Sequence, residues 1–386
     1  MDRREFVRKC ILGGCAAVWG GLALPRLLSR ERSDGLRVGF RNDAPEELWA
    51  WAREAMWYEA KGGLVHCRLC PHACILAEND RGFCRVRVAK GGQLHTLVYG
   101  NPCSVHIDPV EKKPLSHFLP GTPIFSLAAA GCNLRCLNCQ NWEISQARPH
   151  EVRHRDLPPE RVVELTVGQN IPSIAYTYTE PLVSYEYTAA CAEAGRERGV
   201  RNVLVSAGYI NEEPLRRLCR VLDAARIDLK GFSDSLYRRL TGATLAPVLR
   251  SLRILREEGV WLEVVRLMVP TLSDSLEDIG AMSRWLVAEL GPDVPLHLSR
   301  FHPAYRLQNL PPTPVSTLDA AYATAREAGL RYVYVGNVPG SDKQDTLCPG
   351  CGRIVIRRRV YTLEGLELDR QGRCPWCGLL IPGVWG

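Results

Sequence analysis

From Pro123 onward, apolar residues gather in short runs: Ile124–Ala130, Ser173–Tyr178, Asn202–Ser206, Arg226–Leu229, Trp261–Val269 and Pro295–Ser299. Each run has the pattern of a buried strand. Longer stretches with helical spacing of apolar positions follow them, most clearly Leu182–Arg198, Glu213–Leu222 and Leu276–Leu290. Repeating strand–helix units imply parallel strands with helices outside. Six units over about 180 residues predict an α/β fold, a partial (β/α)6 barrel of the TIM type, short of the full eight. In such a barrel, chemistry collects at the C-terminal ends of the strands.

The flanking segments break this pattern. Residues 46–120 open on a Trp-rich stretch, Glu46–Tyr58, which predicts a short helix. A cysteine-rich module, Cys67–Val88, and a connector, Leu94–Pro120, follow. The barrel takes up 121–340. Within 345–386, Cys348-Pro349-Gly350-Cys351-Gly352 and Cys374-Pro375-Trp376-Cys377-Gly378 bracket a basic, β-rich stretch, which predicts a separate small module. Residues 1–30 read as a leader: a head with Arg3-Arg4, an apolar run Cys10–Leu24, then Pro25-Arg26. The run is short for a bilayer span, so no integral membrane protein is expected. It resembles a twin-arginine export signal, with a small-x-small site ending at Ala23.

Composition changes this picture in one respect. With 46% hydrophobic and 24% charged residues among 386, the chain is of ordinary globular make-up. Its formal charge of +7 forms no basic stripe interleaved with aromatics, so no nucleic-acid partner is expected. The sixteen cysteines are the anomaly. They cluster as Cys-x-x-Cys pairs and triples in a long chain, which is metal spacing rather than a disulfide scaffold.

Directly after the first barrel strand, Cys132, Cys136 and Cys139 form C-x3-C-x2-C within Ala130–Asn141. Three thiolates on one tight loop can bind three irons of a cubane and leave the fourth iron open to a chelating ligand. Electron-transfer clusters commonly use four cysteines, which closes that position. The competing reading is a zinc site that borrows a distant fourth ligand.

Cys132–Cys139, with Asn133 and Gln140-Asn141, resembles the radical S-adenosylmethionine superfamily, in its branch of pyruvate formate-lyase-activating enzymes. Further segments resemble the AmmeMemoRadiSam-system radical enzyme: Cys67-Arg-Leu-Cys70-Pro-His-Ala-Cys74, Gly82-Phe-Cys84-Arg-Val-Arg87, Asp108-Pro-Val-Glu-Lys-Lys-Pro-Leu115, His117-Phe-Leu-Pro120-Gly121, Asn141–Gln146 and Gly336-Asn-Val-Pro-Gly340. The C-terminal knuckles do so too, and the resemblance covers residues 64–386. It implies a partial barrel, a 4Fe–4S cluster on Cys132, Cys136 and Cys139, S-adenosylmethionine, a low-potential electron donor and partner proteins of that system. It names no substrate. Such a cofactor is supplied in the cytoplasm, whereas the leader points to export or membrane association; the sequence leaves localisation open.

The same resemblance proposes contacts for S-adenosylmethionine. Activating enzymes end their second strand in Gly-Gly-Glu-Pro. Here Glu180 and Pro181 match, and Tyr178-Thr179 replace the glycines. Asp228-Leu229-Lys230 resembles their Asp-Leu-Lys, with Lys230 suited to the methionyl carboxylate and Asp228 to orienting it. Ser206 ends the third strand with Val205 where relatives carry Asp. Arg266 and His302 lie at or after later strands and join the expected cofactor-binding set.

Two further cysteine sets are expected to bind metal. Cys348, Cys351, Cys374 and Cys377 have zinc-ribbon spacing, which mononuclear iron shares; zinc is the commoner occupant. Cys67, Cys70, Cys74 and Cys84 are spaced for zinc or an auxiliary cluster, with His66 and His72 as alternative ligands. The function expected is reductive cleavage of S-adenosylmethionine and hydrogen abstraction from a substrate. Its rivals are glycyl-radical activation of a partner protein, and a metal-binding or electron-transfer module without turnover.

Overall fold

The computed structural model describes residues 39–386. The expected leader, 1–30, lies outside the described residues. Eight strands form the central sheet: β1 (Ser104–Pro109), β2 (Pro123–Ala128), β3 (Ser173–Tyr176), β4 (Arg201–Ser206), β5 (Ala224–Asp228), β6 (Trp261–Met268), β7 (Leu296–Arg300) and β8 (Val333–Gly336). They lie in sequence order across the sheet. Strands β2 to β8 are parallel, and β1 pairs antiparallel with β2 at one edge.

All six expected strands are present. The sheet adds a seventh parallel strand, β8, because Val333–Gly336 pairs with β7 from Leu296↔Val333 to Ser299↔Gly336. Side chains of β4 are buried on both faces from Asn202 to Ser206. Burial on both faces explains why these strands read as continuous apolar runs.

Helices fill the connections: α1 (Pro159–Gly168), α2 (Tyr185–Glu197), α3 (Glu212–Cys219), α4 (Asp234–Thr241), α5 (Leu245–Glu257), α6 (Leu276–Leu290) and α7 (Val315–Glu327). Local signals set their ends. Ser275 caps α6 by accepting from Asp278 N at 3.3 Å, with Glu277 and Asp278 in the first turn. Ser233 caps α4, and Gly242 closes it in the left-handed conformation. Among the described residues, no helix is long and apolar enough to cross a membrane.

The helix expected over Glu46–Tyr58 is only a 3-10 turn, Glu46–Trp51. The chain then runs extended: Arg53–Glu54 pairs with Gln93–Thr96, and Tyr58–Lys61 with Leu64–Cys67. Its indole rings act at long range instead. Lys90 Nζ lies 4.0 Å above the Trp49 ring, and Trp51 Nε1 donates to Asp156.

The C-terminal segment folds as β9 (Thr346–Leu347), β10 (Ile354–Arg359) and β11 (Thr362–Leu366). It packs against the edge of the central sheet. Cys348, Val355, Ile356, Cys374 and Ile381 share one apolar cluster with Tyr332 and Tyr334 at the sheet edge. Val384 N donates to His117 O and Leu119 N donates to Val384 O, both at 2.7 Å. Beneath this joint the fully buried Glu263 accepts from Ser116 N, His117 N, Trp261 Nε1 and His297 Nε2 at 2.7–3.0 Å.

His117 lies in the same joint, fully buried, its ring nitrogens on Pro382 O and Tyr334 Oη. Burial pushes its imidazole down to about 4, although Glu263 pulls the other way. The folded protein therefore refuses a proton that the unfolded chain takes up near pH 6.5. Stability is complete above that pH and falls as pH drops toward 4. Between pH 7 and pH 5 the loss should be about 2 kcal/mol. Urea midpoints at the two pH values should diverge in the native protein and converge in His117→Gln. An equal pH slope in both would assign the acid sensitivity elsewhere.

Candidate active site at the strand C-terminal edge

The C-x3-C-x2-C loop leaves β2 through Gly131, whose φ is +90°. A Cβ there would sit 2.6 Å from Cys84 O, so only glycine lets the loop press against the N-terminal module. Backbone bonds from Arg135 N to Thr241 O (2.7 Å) and Leu137 N to Leu240 O (2.9 Å) tie the loop to the end of α4. Asn133 Nδ2 donates to Tyr209 O at 2.8 Å, and Gly131 N to Ile144 O at 3.0 Å. Three thiols are thus held by contacts on several sides rather than by the loop alone.

Cys132, Cys136 and Cys139 line one cavity of about 990 Å³. Leu134 N donates to Cys132 Sγ at 3.3 Å, and Ser145 Oγ lies 3.1 Å from Cys139 Sγ. Burial pushes the Cys132 thiol well up, and Glu180 adds to it. Burial lifts Cys136 to about 11, against the pull of Lys230. Alone, these two thiols keep their protons; a bound cationic group would displace them. Among the described residues no fourth cysteine lines this cavity. The donor set therefore fits a cluster with one open iron.

Glu180, Ser206, Asp228, Lys230 and His302 line the same cavity. Glu180 is buried; Oε1 accepts from Ser206 Oγ at 2.6 Å and Oε2 from Ala207 N at 2.9 Å. Burial nevertheless holds its carboxyl above the ordinary value. Lys230 Nζ donates to Asp228 Oδ2 at 2.8 Å, and Arg226 pairs with Asp228 Oδ1. Burial would raise Asp228, but these two cations outweigh it and lower it. Burial would lower Lys230, but Asp228 and Cys136 outweigh it and raise it. An ammonium has three donors, so the pair leaves Lys230 capacity for a ligand. His302 stands exposed at the cavity wall.

Two expected contacts lie elsewhere. Arg266 is fully buried and does not line the cavity. Its Nη2 donates to Ser273 O at 3.0 Å and its Nη1 to Leu229 O at 3.4 Å. It therefore braces the backbone between Asp228 and Lys230. Pro181 starts a 3-10 turn, Pro181–Ser184, and its carbonyl accepts from Thr188 Oγ1 at 3.0 Å. It sets the chain direction after Glu180.

The structure also brings in residues to which the sequence assigned no role. Buried Lys113 donates to Asp108 Oδ2 at 2.6 Å and sits 4.2 Å from the Tyr178 ring. Burial lowers its ammonium to about 8, although Asp108 opposes this. Lys112 also donates to Asp108, at 2.8 Å. Arg226 could have been found from alternation, since Arg226 and Asp228 share one face of β5. His297, Tyr334 and Arg358 also line the cavity.

The other cysteine sets lie outside the cavity. The sulfurs of Cys348, Cys351, Cys374 and Cys377 all lie within 4.8 Å of one another, spacing that fits one metal ion. Matching turns hold them, with Gly352 N on Cys348 O and Gly378 N on Cys374 O. Cys67, Cys70, Cys74 and Cys84 surround a second, small void.

The family model of the Radical SAM superfamily matches residues 127–286. An uncharacterized protein of Methanocaldococcus jannaschii is 46% identical over 328 residues, covering 84% of this chain and 98% of that protein. The pyruvate formate-lyase-activating enzyme of Staphylococcus epidermidis is 25% identical over 241 residues, covering 56% of this chain and 90% of that enzyme. Among solved structures, a radical SAM methyltransferase from Sphaerobacter thermophilus aligns with a TM-score of 0.45 at 15% identity, over 61% of this chain and 71% of that one.

Proposed function

Because the chain belongs to the Radical SAM superfamily and is an enzyme, we propose that it cleaves S-adenosylmethionine at a 4Fe–4S cluster held by Cys132, Cys136 and Cys139. A 4Fe–4S cluster held there would pass an electron from a low-potential donor to the sulfonium, the chemistry by which S-adenosylmethionine would be cleaved to methionine and a 5′-deoxyadenosyl radical able to take hydrogen from a substrate. The observation that carries this reading is one cavity lined by three thiols of one loop together with Glu180, Ser206, Asp228 and Lys230. Lys230 pairs with the methionyl carboxylate. Asp228 and Arg226 fix the position of Lys230. Glu180, held by Ser206 and Ala207 N, faces the methionyl amine. His302, just after β7, adds to the cavity wall. The cavity volume of about 990 Å³ leaves space for a substrate beside the cofactor.

Lys230→Ala should weaken S-adenosylmethionine binding by about ten- to a hundred-fold, the worth of one charge-assisted bond. Iron content should be unchanged. Lys230→Arg should recover only part, because a planar fork does not replace a compact ammonium. Isothermal titration of anaerobically reconstituted enzyme measures this. An unchanged dissociation constant for Lys230→Ala would leave the lysine as a wall residue paired to Asp228.

A second reading has a partner protein as substrate, with a glycyl radical as product. The resemblance to a pyruvate formate-lyase-activating enzyme favours it. The motifs shared with the AmmeMemoRadiSam-system enzyme suggest proteins of that system as the partners to try. Cleavage assays with a low-potential reductant, run with and without those proteins, separate the readings. Deuterium transfer from a labelled glycine in the partner supports the second, and transfer from a small molecule alone supports the first.

A further inference from the structure

We infer that Cys67, Cys70, Cys74 and Cys84 hold a second iron–sulfur cluster, a four-cysteine 4Fe–4S group packed against the loop that carries Cys132. This goes beyond the proposed function and does not depend on it.

The first observation is size. Four thiolates around one zinc ion at about 2.3 Å place their sulfurs about 3.8 Å apart and leave no void between them. The C-terminal four meet that kind of spacing, all within 4.8 Å of one another. Among the described residues, the N-terminal four do not. They ring a void of about 20 Å³. That exceeds the roughly 10–15 Å³ needed for a water, yet thiols and apolar side chains make up most of its wall. A wider, dry ring of four thiols suits a cubane better than a single ion.

The second observation is a buried donor without an acceptor. Arg87 is 1% exposed and lines the void. Its Nη1 donates to Met56 O at 2.9 Å and its Nη2 to Glu186 Oε1. Its Nε has no hydrogen-bond partner. Leaving such a group unpaired in the interior is costly. Sulfur of a bound cluster would supply the acceptor. Arg81 Nε and Arg85 Nη1 are likewise buried and unpartnered in the adjoining turn. Their cations would offset the negative charge that four thiolates bring to a cluster. Phe83 N already donates to Cys74 Sγ at 3.4 Å.

The third observation is place. Cys84 O lies against Gly131, next to Cys132, too close for any side chain there. His72 Nε2 is 2.6 Å from Asn133 O, and Arg135 donates to Phe83 O. Of the two histidines, His72 also lines the void, with one ring nitrogen on the Cys132 loop, and His66 does not line it. A redox group in this ring would be packed against the loop that carries Cys132.

Counting acid-labile sulfide tests the inference, since neither zinc nor mononuclear iron contains any. The full chain, reconstituted anaerobically with iron and sulfide, should hold about eight labile sulfides, four per cubane. A variant carrying Cys132→Ala, Cys136→Ala and Cys139→Ala should keep about four, with a reduced-cluster electron paramagnetic resonance signal. Adding Cys70→Ala should remove these. If native protein holds about four and the triple variant none, the inference fails while the proposed function stands. If both hold about four, the inference stands and the primary cluster fails. Zinc without sulfide in the triple variant would overturn the cluster. Because extra alanines could unfold the module, Arg87→Lys gives a second measurement. It keeps the charge but moves the donor, and should shift the spectrum of the triple variant; an unaltered spectrum would place the remaining cluster elsewhere.

Discussion

Cys136→Ala reduces S-adenosylmethionine cleavage to background and lowers both iron and labile sulfide by about four per chain, the content of one cubane. Cys136 lies midway along the loop, and its sulfur feels the charge of Lys230. Two remaining thiolates cannot hold three irons, and the described cavity lining has no spare cysteine to step in. Folding should survive, because the loop is anchored by Arg135 N, Leu137 N and Asn133 rather than by this sulfur. Circular dichroism should therefore match the native protein while methionine and 5′-deoxyadenosine disappear from the assay. Retained cleavage would overturn the assignment of the primary cluster.

Glu263→Ala destabilises the protein by about 3–5 kcal/mol, the scale expected when a buried, fully engaged charge loses its partners. Four donors converge on this carboxylate, from Ser116, His117, Trp261 and His297. Burial alone would raise its pKa, but His297, His117 and the backbone N–H outweigh that and bring it down to about 2. Alanine leaves all four donors buried and unpaired. Glu263→Gln restores volume but turns one acceptor into a donor, so it should recover only part of the loss. Denaturant midpoints measure both. The effect should extend to the C-terminal segment, since Arg358 Nη2 donates to Ser116 O and Val384 pairs with His117. A loss below 1 kcal/mol would mean that water reaches these donors and that the joint is not sealed.

Much of the cavity lining was legible because its signals are local. A three-cysteine loop after a strand, Glu180 after the next, and Asp228-Leu229-Lys230 two strands on need only sequence spacing and the parallel-sheet rule to fall on one edge. Arg266 was misplaced for a physical reason. Strand position predicts which edge a residue is near, but not whether its side chain turns to the ligand or, as here, to Ser273 O and Leu229 O. The Trp-rich stretch misled similarly, since ring packing against Lys90 and pairing with Gln93–Thr96 outweighed helical propensity.

By itself, then, the sequence determined the α/β alternation, the six principal strands and the three cysteine groups. Each is a pattern among near neighbours, where spacing dictates geometry. Only the tertiary structure decided what those groups face. It buried Lys113 against Asp108 and Tyr178, and it seated Glu263 under donors that come from 147 and 146 residues earlier in the chain. It opened a void among the N-terminal thiols with Arg87 Nε turned to no partner, and it bound the C-terminal segment into the sheet edge. Such pairings depend on which distant surfaces meet when apolar area is buried, and no local spacing records that.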